Sequence, residues 1–130
     1  QSLQETLADK LIALAYRARR IKPRDIWDIV WIKQRGISLS KTLVEKKLIA
    51  RNKEIDDFHH AIAIQLNKLM QEDDLRNDFN AEMSRFIPKQ IKERTVDNPE
   101  YWAYVQTEVN DIVTELLNNI KPKNPFDMGL

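Results

Sequence analysis

The chain has 130 residues, 42% of them hydrophobic, with 21 Lys and Arg against 20 Asp and Glu for a net charge of +1, two glycines and no cysteine. That length fits one domain with a real core, and the glycine-poor, charge-rich composition favours helices while excluding disulfides, a thiolate nucleophile and any cysteine-based zinc site. No run approaches the roughly 20 apolar residues of a membrane span and the first residues lack a signal-peptide pattern, so the expectation is a soluble, cytoplasmic unit with no membrane contact.

Ser2 followed by Glu5 has capping-box spacing, and Leu3, Leu7, Leu11 and Leu14 then recur at helical intervals. A first helix is predicted from Leu3 to Arg19. Pro23 is tolerated at the first position of a helix, where its missing N–H costs nothing, and Gly36 suits the left-handed residue that ends one. The second helix therefore runs from Pro23 to Arg35, with Ile26, Ile29, Val30 and Ile32 on a wide apolar face and Trp27 and Trp31 one turn apart beside it. Ser38 or Ser40 caps a third helix through Leu43, Val44, Leu48 and Ile49. Asn52 marks a break before the periodic run Ile55, Phe58, Ile62, Leu66, Leu69. Asp73 and Asp74 are candidate caps for a fifth helix carrying Leu75, Phe79, Met83, Phe86 and Ile87, which Pro88 stops or restarts. A short helical turn at Lys89 to Arg94 follows. Asn98 as cap, with Pro99 at the first helical position, opens the longest helix, whose apolar pattern runs from Trp102 to Ile120.

The fold expected is all-α, a compact bundle of about five to six helices forming a single domain over residues 1–120, with 121–130 as a tail containing two prolines. No strand, hairpin, repeat or low-complexity segment is evident. Charge is divided unevenly along this domain. Residues 1 to 51 hold 12 basic and 5 acidic side chains, or +7, and the remaining 79 residues sum to −6. The first segment can attract phosphate and the second cannot.

Lys10 and Arg17, seven residues apart, project from nearly the same side of the first helix, with Arg20 three residues further on. Such a row is a solvated basic edge unless an anion meets it, for example a nucleoside triphosphate held by charge-assisted hydrogen bonds. Asp25 and Asp28, three apart near the start of the second helix, face one way. They serve either as acids complementing the helix dipole, with Arg24 pairing with Asp28 at i, i+4, or as the two carboxylates of phosphoryl-transfer or general-base chemistry. His59 and His60 are adjacent, so they point about 100° apart and do not chelate one metal. Trp27, Trp31, Trp102, Tyr101 and Tyr104 could stack on bases, although aromatic residues at helical spacing usually form core. There is no Gly-rich phosphate loop and no triad-like arrangement of serine and histidine.

Taken as one string, "ETLADKLIALAYRARRIKPRDIWDIVWIKQRG", residues 5 to 36, resembles the segment that joins the catalytic core to the helical region in the AbiEii/AbiGii-like nucleotidyltransferases. These are the toxins of type IV toxin-antitoxin and abortive-infection systems. The family pattern is matched by Asp9, Lys10, Leu11, Ala13, Leu14, Arg17, Pro23, Arg24, Asp25 and Asp28, with Ile29 where leucine is usual and Arg35 and Gly36 at the end. The match covers about a quarter of the chain. Beyond Gly36 the similarity is only that of a variable helical region.

The resemblance implies a nucleotidyltransferase whose small mixed sheet carries a Gly-Ser or Gly-Gly loop and a magnesium-binding Asp-x-Asp pair. Neither motif precedes Lys10, so the expectation is that the chain is the C-terminal helical portion of a longer protein and lacks its N-terminal core. Carried over by position, Lys10 reaches the triphosphate and Arg17 supports that charge. Asp25 positions or deprotonates the acceptor, and Asp28 assists or anchors Arg24, itself a candidate substrate-binding residue. The implied reaction transfers a nucleotidyl group from a nucleoside triphosphate (NTP) to an acceptor hydroxyl, in some members the 3′ end of tRNA. Magnesium and NTP would be needed by the full-length protein, and a cognate antitoxin is the implied partner. The fragment alone is expected to be inactive, with no cofactor of its own. The competing expectation is a helical module that binds nucleic acid, with the turn at "RGISLS" joining a helix-turn-helix, or binds another protein, with no catalytic role.

Overall fold

Ser2 opens the first helix by a reciprocal exchange in which its hydroxyl accepts the Glu5 amide and the Glu5 carboxylate accepts the Ser2 amide, each at 3.1 Å. The computed structural model describes residues 1–118, and among them it has seven helices and no strand. Six of the helices have ten residues or more: α1 (Leu3–Tyr16), α2 (Pro23–Gln34), α3 (Lys41–Ala50), α4 (Ile55–Gln71), α5 (Asp73–Met83) and α7 (Tyr101–Leu117); α6 (Lys89–Arg94) is the short one. The molecule is thus the all-α bundle that composition and periodicity predict. The predicted tail and the predicted end of the last helix at Ile120 lie outside the described residues.

The helix borders follow local chemistry in most places. Pro23 begins α2, and Gly36, at φ +76°, follows its end and donates its N–H to the Lys33 carbonyl. Of the two serines considered for α3, Ser40 is the cap, its hydroxyl accepting the Leu43 amide at 3.1 Å. Asn52 takes the left-handed turn between α3 and α4 at φ +56°, and Pro88 caps α6.

Several borders differ from expectation, among them the end of α5 at Met83: Phe86 and Ile87, expected within it up to Pro88, follow in a turn in which Phe86 donates its amide to the Met83 carbonyl at 3.0 Å. The first helix stops at Tyr16, three residues before Arg19. The buried Gln65 of α4 donates its amide to the carbonyls of Leu14 and Arg17, at 2.8 and 2.9 Å, and Lys68 donates to that of Ala18. These donors satisfy carbonyls at the helix end, so the chain can turn toward α2 without leaving them orphaned. Asp73 is the first residue of α5 instead of its cap, because Glu72 alone separates α4 from α5. Asn98 accepts the Glu100 amide at 2.9 Å, which makes a tight turn rather than a cap, and α7 begins two residues after Pro99.

α1 packs against α2, α3 and α4; α7 lies against α4 and α2, and α5 against α2. Leu7, Leu11 and Leu14 of α1, Ile26, Ile29 and Ile32 of α2, Phe58 and Ile62 of α4 and Val105, Val109 and Val113 of α7 belong to one buried cluster. Each such side chain contributes about 1.5–3 kcal/mol by leaving water. α2 is therefore enclosed from two sides, by α1 and by α5 with α7, which determines what its first turn can meet.

Candidate active site

Asp25 stands in the first turn of α2, where Pro23 and the helix N-terminus orient it, and only 1% of its surface is exposed. A buried carboxylate is costly unless it is paired and hydrogen-bonded. Arg17, just past the end of α1, donates Nε–H to Asp25 Oδ2 at 2.6 Å, and Lys10 reaches Asp25 Oδ1 from the middle of α1 at 3.4 Å. Lys10 also bonds Asp28 Oδ2 at 2.9 Å. The four side chains form one network between α1 and α2, with two positive and two negative charges.

Lys10 is held above its ordinary pKa of 10.5, first by the hydrogen bond it donates to Asp28 and then by the charges of both aspartates, against the opposing effect of burial. It is an ammonium at any physiological pH, suited to gripping an anion and unsuited to acting as a base. Arg17 is positioned twice over. Its side chain holds Asp25 while its own carbonyl is held by Gln65.

The geometry replaces both of the simple structural expectations for these residues. Lys10 and Arg17 are not a free basic edge: although their side chains stay 28% and 40% exposed, both bond the aspartates of α2. The Arg24 to Asp28 pair does not form: Asp28 turns to Lys10, and Arg24 lies over the Phe86 ring at 5.1 Å. Arg20 joins α5 instead, through Asp78 at 3.7 Å and Glu82 at 3.3 Å. Asp9, matched above only as a family residue, ties α1 to α3 through Arg51 at 2.7 Å and Lys47 at 3.2 Å. Burial pushes the Asp9 carboxyl up, but hydrogen bonds from Arg51, Lys47 and Gln1 outweigh it and hold the group below its usual range.

Gln65 was not singled out by sequence reasoning. The signal available was a polar residue on the apolar stripe of α4, three after Ile62 and four before Leu69. Among the candidate stacking aromatics, Trp102 is buried and Trp27 half-buried, with Phe79 between them at 5.3 Å from Trp102 and 6.4 Å from Trp27. Trp31 and Tyr104 are exposed.

An open recess of about 460 Å³ lies beside the network, lined by Tyr16, Arg17, Ala18, Arg19, Arg20 and Lys22. Its four cations, of which Arg17 and Arg20 are already paired with carboxylates and Arg19 and Lys22 have none within ion-pair distance among the described residues, suit a polyphosphate. They do not suit magnesium. Both aspartates of the network are already bonded to cations, and among the described residues no group of three or more His, Asp and Glu side chains could hold a metal ion. No helix among them is long and apolar enough to cross a membrane.

The family model described as nucleotidyl transferase AbiEii toxin, type IV TA system, matches residues 1–107 of the chain. Comparisons with curated proteins and with solved structures each return no match. The matched span contains the whole Lys10, Arg17, Asp25 and Asp28 network and runs through α6 into α7, far beyond the motif of residues 5 to 36. The chain belongs to the AbiEii nucleotidyl transferase toxin family of type IV toxin-antitoxin systems, a membership that brings with it in general terms an NTP substrate and metal for the enzyme and an antitoxin as partner.

Proposed function

We propose that residues 1–120 form one helical domain that supplies half of a nucleotidyltransferase active site, completed by an N-terminal core in the full-length protein. The observation that carries this reading is the meeting of Lys10, Arg17, Asp25 and Asp28 in one ion-pair network around a carboxylate that is 1% exposed. A carboxylate buried as Asp25 is, even when paired, is a poor way to gain stability, since well-packed apolar residues often do as well or better. Chemistry gives it a purpose.

In this reading the triphosphate enters the basic recess at Arg17 and extends along the network to Lys10, with Arg24 a further contact for substrate. As the two cations turn to phosphate they release Asp25, which orients the acceptor hydroxyl and takes its proton. The hydroxyl oxygen bonds to the α-phosphorus, the bond to the β-phosphate bridging oxygen breaks, and pyrophosphate leaves. Asp28 keeps Lys10 charged and aimed. The acceptor is the 3′ end of a tRNA. The metal-binding acidic pair expected of the family belongs to the core, and none of the steps assigned to these residues runs through it. The reaction takes place in the cytoplasm, where a cognate antitoxin restrains it, and the helical domain alone transfers nothing.

In the intact protein, Lys10→Ala and Asp25→Asn are each expected to lower nucleotide transfer by at least about a hundredfold and to relieve growth inhibition, with the helical circular dichroism retained. Unchanged transfer in either variant removes that residue from the site. Transfer by the isolated domain would overturn the division of labour.

A further inference from the structure

The face of α2 that meets neither α5 nor α7 carries Arg24, Asp28, Trp31 and Arg35 at i, i+4, i+7 and i+11, a single ridge about 16 Å long. Its middle is the Lys10 to Asp28 contact of the candidate site. At each end a guanidinium lies on an aromatic ring: Arg24 on Phe86 at 5.1 Å, and Arg35 on Trp31 at 4.7 Å. Both rings are open to solvent, Phe86 at 58% exposure and Trp31 at 40%. Among the described residues neither arginine has a carboxylate within ion-pair distance. A recess of about 380 Å³ opens beside Trp31, between α2 and the α6 to α7 turn, with Arg94 in its wall.

The other aromatic residues of this region have structural work that explains their placement. Trp27, Phe79, Tyr101 and Trp102 pack on one another, and Tyr104 accepts a hydrogen bond from Gln34 at 3.0 Å. Trp31 and Phe86 stand outside that cluster. Exposed aromatic faces alternating with uncompensated guanidinium groups are the elements of a site for an unpaired nucleic-acid strand: rings and guanidinium planes stack on bases, and the charges meet phosphates. A duplex presents base edges, with its base faces already stacked, so it cannot use such platforms along its length.

The geometry points to the α2 ridge as the track for the single-stranded end of the acceptor, with one base stacked at Trp31 and its recess, another at Phe86, and the backbone held by Arg24, Arg35 and Arg94. This rests on the nucleotidyltransferase reading above and adds to it the residues that select an unpaired strand. The ridge passes the candidate site at Asp28, so a strand lying along it is brought to Lys10 and Asp25.

The test is binding of fluorescent oligonucleotides by the intact protein without NTP, comparing single-stranded RNA, single-stranded DNA of the same sequence and a blunt RNA duplex. Trp31→Ala is expected to weaken single-strand binding roughly tenfold and to leave duplex binding unchanged, with Trp31→Phe restoring most of the affinity. Phe86→Ala and Arg35→Ala are expected to act in the same direction, and both positions are exposed enough for the fold to survive. Tighter binding of RNA than DNA assigns the strand to RNA, and equal binding assigns the site to unpaired strands of either kind. Single-strand binding unaffected by Trp31→Ala, or equal losses for single strand and duplex, overturns the proposal, as does a Trp31 that the rest of the intact protein shields from acrylamide. Because binding is read without turnover, these outcomes are independent of the transfer assay on Lys10 and Asp25.

Discussion

The two sides of α2 are built from different materials. Toward α5 and α7 it packs an aromatic cluster, Trp27 with Phe79 and Tyr101, edged by Lys33 to Glu108 at 3.3 Å and Gln34 to Tyr104 at 3.0 Å. Toward α1 it adds to its isoleucines a buried carboxylate held by two cations. The first side is what a helical bundle requires for stability. The second keeps charge out of water at a cost that an apolar contact would not incur, so the comparison separates a packing surface from one kept for chemistry.

That separation can be broken by substitution, beginning with the apolar side. Phe79→Ala, which empties a fully buried site among three aromatic rings, is expected to lower unfolding stability by about 3–5 kcal/mol in denaturant titrations. If nucleotide transfer per folded molecule falls with it, the aromatic side is part of the site and the distinction fails. Gln65→Leu tests the support of the charged side. It removes the donors to Leu14 and Arg17 while keeping the volume similar, and is expected to cost about 1–3 kcal/mol for the carbonyls left unpaired. Transfer should fall further than stability explains, because Arg17 loses the bond that fixes its backbone.

The smallest expected effect is on the dependence of stability on pH. The native pKa of Lys10 is raised, so its contribution is complete below 10.5 and is lost as pH climbs through the higher native value. Asp9 behaves in the opposite way. Its native pKa is lowered, so its contribution is complete above 3.8 and is lost as pH falls through the lower native value. Lys10→Met should therefore flatten the alkaline limb of the stability profile, and Asp9→Asn the acid limb. A profile in which Lys10→Met alters only the acid limb would place Lys10 outside the α1 to α2 network.

Much of the fold was legible because its signals are local. Ser2 with Glu5, Pro23, Gly36 and Ser40 act within a turn of where they stand, and the apolar period marks the buried faces of α1, α4 and α7 whatever they pack against. Gln65 was not legible in the same way. Its partners lie 51 and 48 residues away in the chain, and they end α1 three residues earlier than periodicity predicts. The candidate site lies between these cases: family resemblance named Lys10, Arg17, Asp25 and Asp28 together, but spacing alone suggested a solvated edge and an Arg24 to Asp28 pair.

The sequence by itself determined the all-α class, most helix borders and the set of charged residues that the family pattern shares, because periodicity, caps and motif spacing are properties of neighbouring residues. Only the tertiary structure decided which charges meet. Asp28 chooses Lys10 over Arg24, and the buried Asp25 takes Arg17 as its partner, because packing α1 against α2 makes those partners nearer than the ones along the helix. A charge about to be buried must find a partner of opposite sign, and which one is in reach is set by how helices pack.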